Sequence, residues 1–194
     1  KSGEWKCEIV DIKNNFLKAK AISQISSPRS EALIDLMFSP IKYQNSEAVI
    51  RQATEMGVRS LFPTTFKRTI NKKINLDKFN AYALGATQQS GRLSIPKIDK
   101  LNDLKSRSDI LSDKTVLMFD ENLEGIHLSQ AKIKSNDEIL VIIGPEGGFE
   151  EEERAFISNA SKNFLNVSLG HNILKADTAV IAALSLTFHY FNEN

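Results

Sequence analysis

Ile139-Leu140-Val141-Ile142-Ile143 runs without interruption into Gly144-Pro145-Glu146-Gly147-Gly148, then Phe149 and the glutamates Glu150, Glu151, Glu152 and Glu153. Consecutive apolar residues with no polar alternation describe a strand buried on both faces, as in a parallel sheet covered by helices. Ligands collect at the ends of such strands. Glycines and a proline in the turn remove side-chain bulk and ease positive φ, so backbone N–H and C=O groups can come close to a bound molecule.

Charge narrows what the loop can hold. The glutamates fall in the first turn of a helix that continues through Arg154, Ala155, Phe156 and Ile157, where they complement the positive end of the helix dipole. The same carboxylates repel phosphate, the group that dinucleotide and P-loop sites place at a helix N-terminus. Neither GxGxxG nor GxxxxGK[ST] is present here. The loop therefore reads as a cradle for a ligand lacking phosphates, such as a nucleoside-type cofactor. Taken alone, a tight strand-to-helix turn with no ligand is the better explanation of this motif.

A second motif lies downstream: Leu169-Gly170-His171-Asn172-Ile173-Leu174-Lys175-Ala176-Asp177-Thr178-Ala179. Val167-Ser168-Leu169 ends a short strand, Gly170 breaks it, and Ile173 and Leu174 put apolar side chains into an otherwise polar loop before a helix opens near Ala176. Two strand-end loops this close in sequence point to one pocket.

GPEGGF with an acidic helix start, followed by LGHNILKADTA and a small-residue helix, resembles the C-terminal signature of the RsmE-type 16S ribosomal RNA (uridine-N3) methyltransferases, of the SPOUT class. The family pattern is GPEGG and then LGxRILRxETA. Here Asn172 and Lys175 stand where the family has arginine, and Asp177 where it has glutamate; charge is kept at 175 and 177 and lost at 172. The resemblance spans residues 32–190 and, more loosely, the start of the chain. It implies an S-adenosylmethionine-dependent enzyme whose cofactor is contacted by Phe119, Ile143, Gly144, Pro145, Glu146, Gly147, Gly148, Leu169, Gly170, Ile173, Leu174 and Thr178. It also implies a catalytic set in which Arg92 engages the RNA, while Lys175 or Asp177 serves the imide proton or the developing negative charge. Asp177 would serve equally as a helix cap.

The α/β fold expected from the resemblance is a SPOUT-type parallel sheet with a C-terminal trefoil knot, preceded by part of a small PUA-like β-barrel. The boundary falls in Ser26-Ser27-Pro28-Arg29-Ser30, giving a barrel remnant at 1–26 and a methyltransferase domain at 27–194. The remnant is a hairpin: Trp5, Cys7 and Ile9 alternate with Lys6, Glu8 and Val10, a turn follows at Lys13-Asn14-Asn15, and alternation resumes. Two strands are only marginally stable in water, so partner strands are expected. The chain opens on Lys in what reads as mid-hairpin, so a natural N-terminus is expected upstream.

From Ala32 the rhythm changes to strands alternating with helices, which implies a parallel sheet. Residues 33–37 read as a strand. Ser46 is placed to cap a helix carrying Val49, Ile50, Ala53 and Met56 and stopped by Gly57, and 58–62 read as a strand closed by Pro63. Glu55-Met56-Gly57-Val58 resembles the family's ELGV. The cluster Lys67-Arg68 and Lys72-Lys73 reads as a solvated face ahead of an RNA contact. A helix over 76–88 presents Leu76, Phe79, Ala83 and Ala86 on one side. Gln89-Ser90-Gly91-Arg92 resembles the family's QSxR, which makes Gln89 and Arg92 site candidates; a guanidinium can bind phosphate or polarise a base carbonyl. Residues 106–113 read as a polar connection, and 116–119 as a buried strand ending in Asp120-Glu121-Asn122. A last helix over 176–190 carries the small residues Ala179, Ala182 and Ala183. The resemblance implies homodimerisation across it, with the active site shared between subunits.

Composition sets outer bounds. The chain has 194 residues, 41% hydrophobic and 25% charged, with a net charge of +1, enough for one full core and an appendage. Near-neutral charge disfavours a generic electrostatic grip on nucleic acid, so RNA contact must use local patches or shape. The single cysteine, Cys7, allows neither an internal disulfide nor a cysteine zinc site and suits a reducing, cytoplasmic compartment. His127, His171 and His189 lack metal-ligand spacing. No run approaches the roughly 18 apolar residues of a membrane span. The expected partner is small-subunit 16S ribosomal RNA, in the assembled particle, with no metal and no membrane. Two other classes stay in view. A non-catalytic RNA-binding relative would keep the hairpin and lose the pocket motifs, whereas a hydrolase would need a nucleophile elbow, and no GxSxG occurs.

Overall fold

A computed structural model describes residues 3–27, 32–41, 43–120, 125–134 and 136–193. Most of the expected linker, Pro28 to Ser30, lies outside the described residues, as do Glu121 and Asn122.

The hairpin forms as read: β1 (Glu4–Lys13) and β2 (Phe16–Ser26) pair antiparallel about Asn14-Asn15. Its alternation does not translate into burial. Ile9, Ile12, Phe16, Leu17 and Ile25 are all more than half exposed, so a face built to be covered stays open among the described residues.

The second sheet is parallel throughout and has the order β5-β4-β3-β8-β7-β9, with a short β6 beside β4. Its strands are β3 (Ile34–Phe38), β4 (Ser60–Thr65), β5 (Lys97–Ile98), β6 (Asn102–Asp103), β7 (Thr115–Phe119), β8 (Ile139–Ile143) and β9 (Asn163–Asn166). The quoted strand is β8, central and fully buried. Strand pleating divides the core into two layers. Ile34, Leu36, Phe38, Leu117, Phe119, Ile139, Val141 and Ile143 face one way, onto α1 (Tyr43–Met56), α2 (Leu76–Ser90) and α5 (Ala176–Glu193). Met37, Val116, Met118, Leu140 and Ile142 face the other, onto α3 (Ser108–Ser112) and α4 (Glu151–Ala160). Coverage on both faces is why the strand sequences carry no alternation.

Several local expectations need correction. Helix α1 opens at Tyr43, so Ser46 lies inside its first turn, and its hydroxyl donates back to the Ile41 carbonyl (2.9 Å) instead of capping forward. Strand β4 runs through Pro63. Carbonyls of Arg59, Leu61 and Thr65 accept bonds from the β5/β6 side (3.0, 3.0 and 3.2 Å), and the Pro63 carbonyl accepts Arg107 Nη2 on that side (3.0 Å). The missing N–H of Pro63 thus faces the gap between β5 and β6 and removes no bond to β3. Residues 106–113 are more than a polar connection: a 3-10 turn at Lys105–Arg107 leads into α3. Arg107 is buried there, paired with Asp99 and lying 5.4 Å over the Phe62 ring. The strand before the second motif ends at Asn166, three residues before Leu169.

Candidate active site

The loop after β8 is shaped by an aromatic beneath it. A Cβ on Gly144 would lie 2.6 Å from the Phe149 ring, so only glycine lets Phe149 pack there, edge-on to Phe66 with centroids 5.2 Å apart. Gly148 N donates to the Pro145 carbonyl (2.8 Å), closing the turn with Gly148 at φ 72°. Helix α4 then starts on carboxylates: Glu150 N donates to Glu153 Oε2 (3.0 Å), half of a capping box.

Those carboxylates also answer the basic cluster. Arg68 Nε donates to Glu150 Oε1 (2.8 Å) and its Nη1 to the Gly147 carbonyl (2.6 Å). Lys67 Nζ reaches Glu152 Oε2 (2.7 Å), and Lys67 N reaches Glu153 Oε1 (2.7 Å). The hydrogen bond from Lys67 holds the Glu152 carboxyl below its ordinary range and raises the Lys67 ammonium. This half of the cluster is solvent-exposed, as its reading as a solvated face expects, and is also a strap across the glycine loop. A Cβ on Gly147 would come 3.2 Å from the Arg68 stem, so the strap lies directly on the loop.

The opposite wall is the second motif. Val167 bridges Ile126, and Ser168 N donates to the Ile126 carbonyl (3.1 Å). Beyond Gly170 the chain turns into α5, where Asp177 Oδ1 accepts from Thr178 N (3.0 Å). Asp177 is thus a carboxylate inside the first turn of α5 and not its N-cap, a correction to the capping reading. The floor includes the end of β7, where buried Asp120 accepts Arg154 Nε from α4 (2.5 Å); this bond raises the Arg154 guanidinium above its ordinary value.

Together these walls enclose a cavity of about 530 Å³ at the C-terminal ends of β7 and β8, within the range of small-molecule sites. It is lined by Phe119, Ile143, Gly144, Pro145, Glu146, Gly148, Leu169, Gly170, Ile173, Leu174 and Lys175 from the expected set. Gly147, Thr178, Asp177 and Arg92 do not line it. Gly147 lies under Arg68. Arg92 donates Nη1 to the Thr54 and Val58 carbonyls (2.8 and 3.0 Å) at the end of α1. Asn45, Asp120, Phe149, Val167, Ser168, His171, Asn172, Ala176 and Ala179 also line the cavity. Phe149, His171, Asn172, Ala176 and Ala179 lie inside the motifs and Val167 and Ser168 border the second one, whereas nothing in the local sequence marks Asn45. Among the described residues no group of three or more His, Cys, Asp or Glu is placed to hold a metal, and no helix is long and apolar enough to cross a membrane.

A parallel α/β sheet, with two glycine-bearing loops closing one pocket over its strand ends, defines a ligand-binding α/β domain. The model of the RNA methyltransferase domain matches residues 28–187, and the chain belongs to that family. It is similar to the Ribosomal RNA small subunit methyltransferase E of Rickettsia conorii, with 31% identity over 187 residues, covering 94% of this chain and 75% of the relative. The protein of that name from Aquifex aeolicus is 27% identical over 194 residues, covering 96% and 76%. Among solved structures, the Legionella pneumophila protein Lpg2936, in complex with bound cofactor SAM, superposes with TM-score 0.81 at 25% identity, covering 95% of this chain and 78% of that one. A Neisseria gonorrhoeae methyltransferase E bound to S-adenosyl methionine has the same fold, with TM-score 0.86 at 22% identity, covering 96% and 78%.

Proposed function

We propose that this chain is an S-adenosylmethionine-dependent methyltransferase acting on N3 of a uridine in small-subunit 16S ribosomal RNA. The observation that carries the reading is the cavity closed by residues 144–148 and 167–176 over β7 and β8, in a member of an RNA methyltransferase family. Its lining suits the cofactor: apolar Phe119, Ile143, Leu169, Ile173 and Leu174 for a purine, exposed backbone groups along the glycine loops, and Asp120 and Glu146 beside a positively charged sulfonium. Thr178 and Gly147 act behind this lining. When bound, S-adenosylmethionine supplies a methyl group on an electrophilic sulfur.

The chain's own residues do the rest. Residues of the glycine loops hold the donor in line with the incoming nitrogen at near-attack distance. N3 lies on the Watson–Crick edge, so the uridine must enter unpaired or extruded, and the exposed Ile173 at the cavity supplies apolar surface for it. Lys175 stabilises the negative charge that develops on the base when the imide proton leaves. Asp177, in the first turn of α5 with Oδ1 on Thr178 N, has Oδ2 to receive that proton. Arg92, outside the cavity of its own chain, serves the RNA in the cavity of a second copy.

The wider reading is a cytoplasmic homodimer joined across α5. A knotted C-terminal path belongs to the same reading. Residues 1–26 belong to a PUA-like RNA-binding module, whose open apolar hairpin supports this assignment, and residues 27–194 form the catalytic domain. The test is transfer of labelled methyl groups onto unmodified small subunits, with the product nucleotide mapped. N3-methyluridine is expected; methylation of a cytosine or a ribose, or no transfer with cofactor bound, would reject the assignment.

A further inference from the structure

The basic cluster after β4 is divided by the fold. Lys67 and Arg68 are neutralised by Glu150 and Glu152. Lys72 and Lys73 carry exposed ammonium groups, and among the described residues neither has an ion-pair partner. Between the two pairs Ile70 stands 78% exposed.

A second cavity, of about 370 Å³, opens at this point, lined by Ser46, Asn71, Lys73, Ile74, Asn75 and Phe79. Asn45 lines the first cavity and the next residue, Ser46, lines the second, so the two are neighbours across the first turn of α1. The Asn71 and Ser46 side chains are fixed by donating to the Ile41 carbonyl (3.2 and 2.9 Å), and Asn75 Oδ1 accepts Lys78 N (3.0 Å). What remains directed outward is therefore donor-rich: the Lys73 ammonium, the Asn75 amide group and, along the chain, Lys72. Those donors suit an anion with sugar hydroxyls attached, and the apolar Ile74 and Phe79 line the same hollow. The carboxylates adjoining it in sequence are Asp77, in the first turn of α2, and Glu47, which pairs with Arg51 (3.8 Å).

We infer that this second cavity is a nucleotide subsite: it takes a phosphate and sugar of the RNA strand flanking the target uridine, with Lys72 and Lys73 on the phosphate. The inference rests on the methyltransferase reading of the first cavity and adds where the strand leaves it. Non-specific electrostatics cannot supply such a grip, because the net charge of the chain is only +1. A local pair of unneutralised lysines can.

The test compares wild type, Lys72→Gln/Lys73→Gln and the control Lys162→Gln, whose exposed lysine lies beside the opposite, N-terminal end of the strands. RNA affinity is measured against salt, methyl-transfer KM and kcat on small subunits, and S-adenosylmethionine affinity by calorimetry. The double variant is expected to raise KM for RNA about tenfold and to flatten the slope of log affinity against log salt by about 0.7, one phosphate contact on a single strand. Its kcat and cofactor affinity should match wild type, and Lys162→Gln should change none of these. An unchanged RNA affinity and salt slope in the double variant would overturn the subsite, as would an equal effect from Lys162→Gln. Failure of the wild type to bind S-adenosylmethionine would instead overturn the methyltransferase reading, and the RNA titration would still report on the lysines.

Discussion

Gly144 and Gly147 are both glycine because something lies on them, but the two neighbours differ in stiffness. An added Cβ at 144 meets a packed Phe149 ring at 2.6 Å, whereas at 147 it meets the flexible Arg68 stem at 3.2 Å. Gly144→Ala should cost about 1–3 kcal/mol of stability, the usual range for overpacking, and weaken S-adenosylmethionine binding because the loop must shift. Gly147→Ala should cost clearly less, since Arg68 can withdraw by rotation. Urea midpoints and calorimetric titration of both variants check the ordering, and equal losses would mean that Phe149 is not the rigid element. The motif made both glycines legible as loop residues. The partner of each, Phe149 and Arg68, was not, because sequence reports conformational freedom and says nothing of which distant side chain fills the space.

Helix α1 shows how an element can hold in place a residue proposed for the chemistry. Its C-terminus is closed by Gly57 at φ 101°, with Val58 N bonded to the Ala53 carbonyl (3.0 Å) and Gly57 N to Thr54 (3.1 Å), a Schellman arrangement. Arg92 then adds charge-assisted bonds to the Thr54 and Val58 carbonyls. Arg92→Ala should therefore lower stability by about 1.5–3 kcal/mol, typical of hydrogen bonds to a charged group, and this would be read as a lower urea midpoint. An unchanged midpoint with methyl transfer abolished would instead place Arg92 at the substrate. Gly57 was readable as a stop because only glycine enters the left-handed region cheaply. The Arg92 contact joins residues 38 apart in sequence, and no local pattern encodes such a pairing.

At the scale of the whole molecule, the end of the sheet opposite the cavity is tied by charge. Buried Asp35 of β3 bonds Arg59 (2.6 Å) and Lys114 (2.9 Å), and Glu138 joins the same two cations (2.6 and 2.7 Å). Hydrogen bonds from Arg59 and Lys114 hold the Glu138 carboxyl down to about 2, from an ordinary 4.5. A depressed acid stabilises the fold above its unfolded value and loses that contribution as pH falls toward the folded one. The stabilisation from Glu138 should thus be complete above pH 4.5 and fade between 4.5 and about 2. Because Glu138 is 43% exposed, solvent screening keeps its contribution to about 1 kcal/mol or less. Glu138→Gln should lower the urea midpoint slightly at pH 7 and flatten its fall below pH 4.5; parallel acid limbs for the two proteins would show that Glu138 carries no such load.

The sequence by itself determined the hairpin, the parallel sheet with β8 at its centre, the main helices and two loops that share a pocket, because hydrophobic period, glycine and charge at helix starts act over a few residues. Tertiary structure alone decided which side chains answer each other across the sheet. It laid the surface charge of Arg68 across the glycine loop, set Arg92 on the end of α1, buried Arg107, and brought Asn45 to the cavity. Each of these depends on close packing or on charges pairing at a few ångströms between segments dozens of residues apart, and that distance is created only when the chain folds.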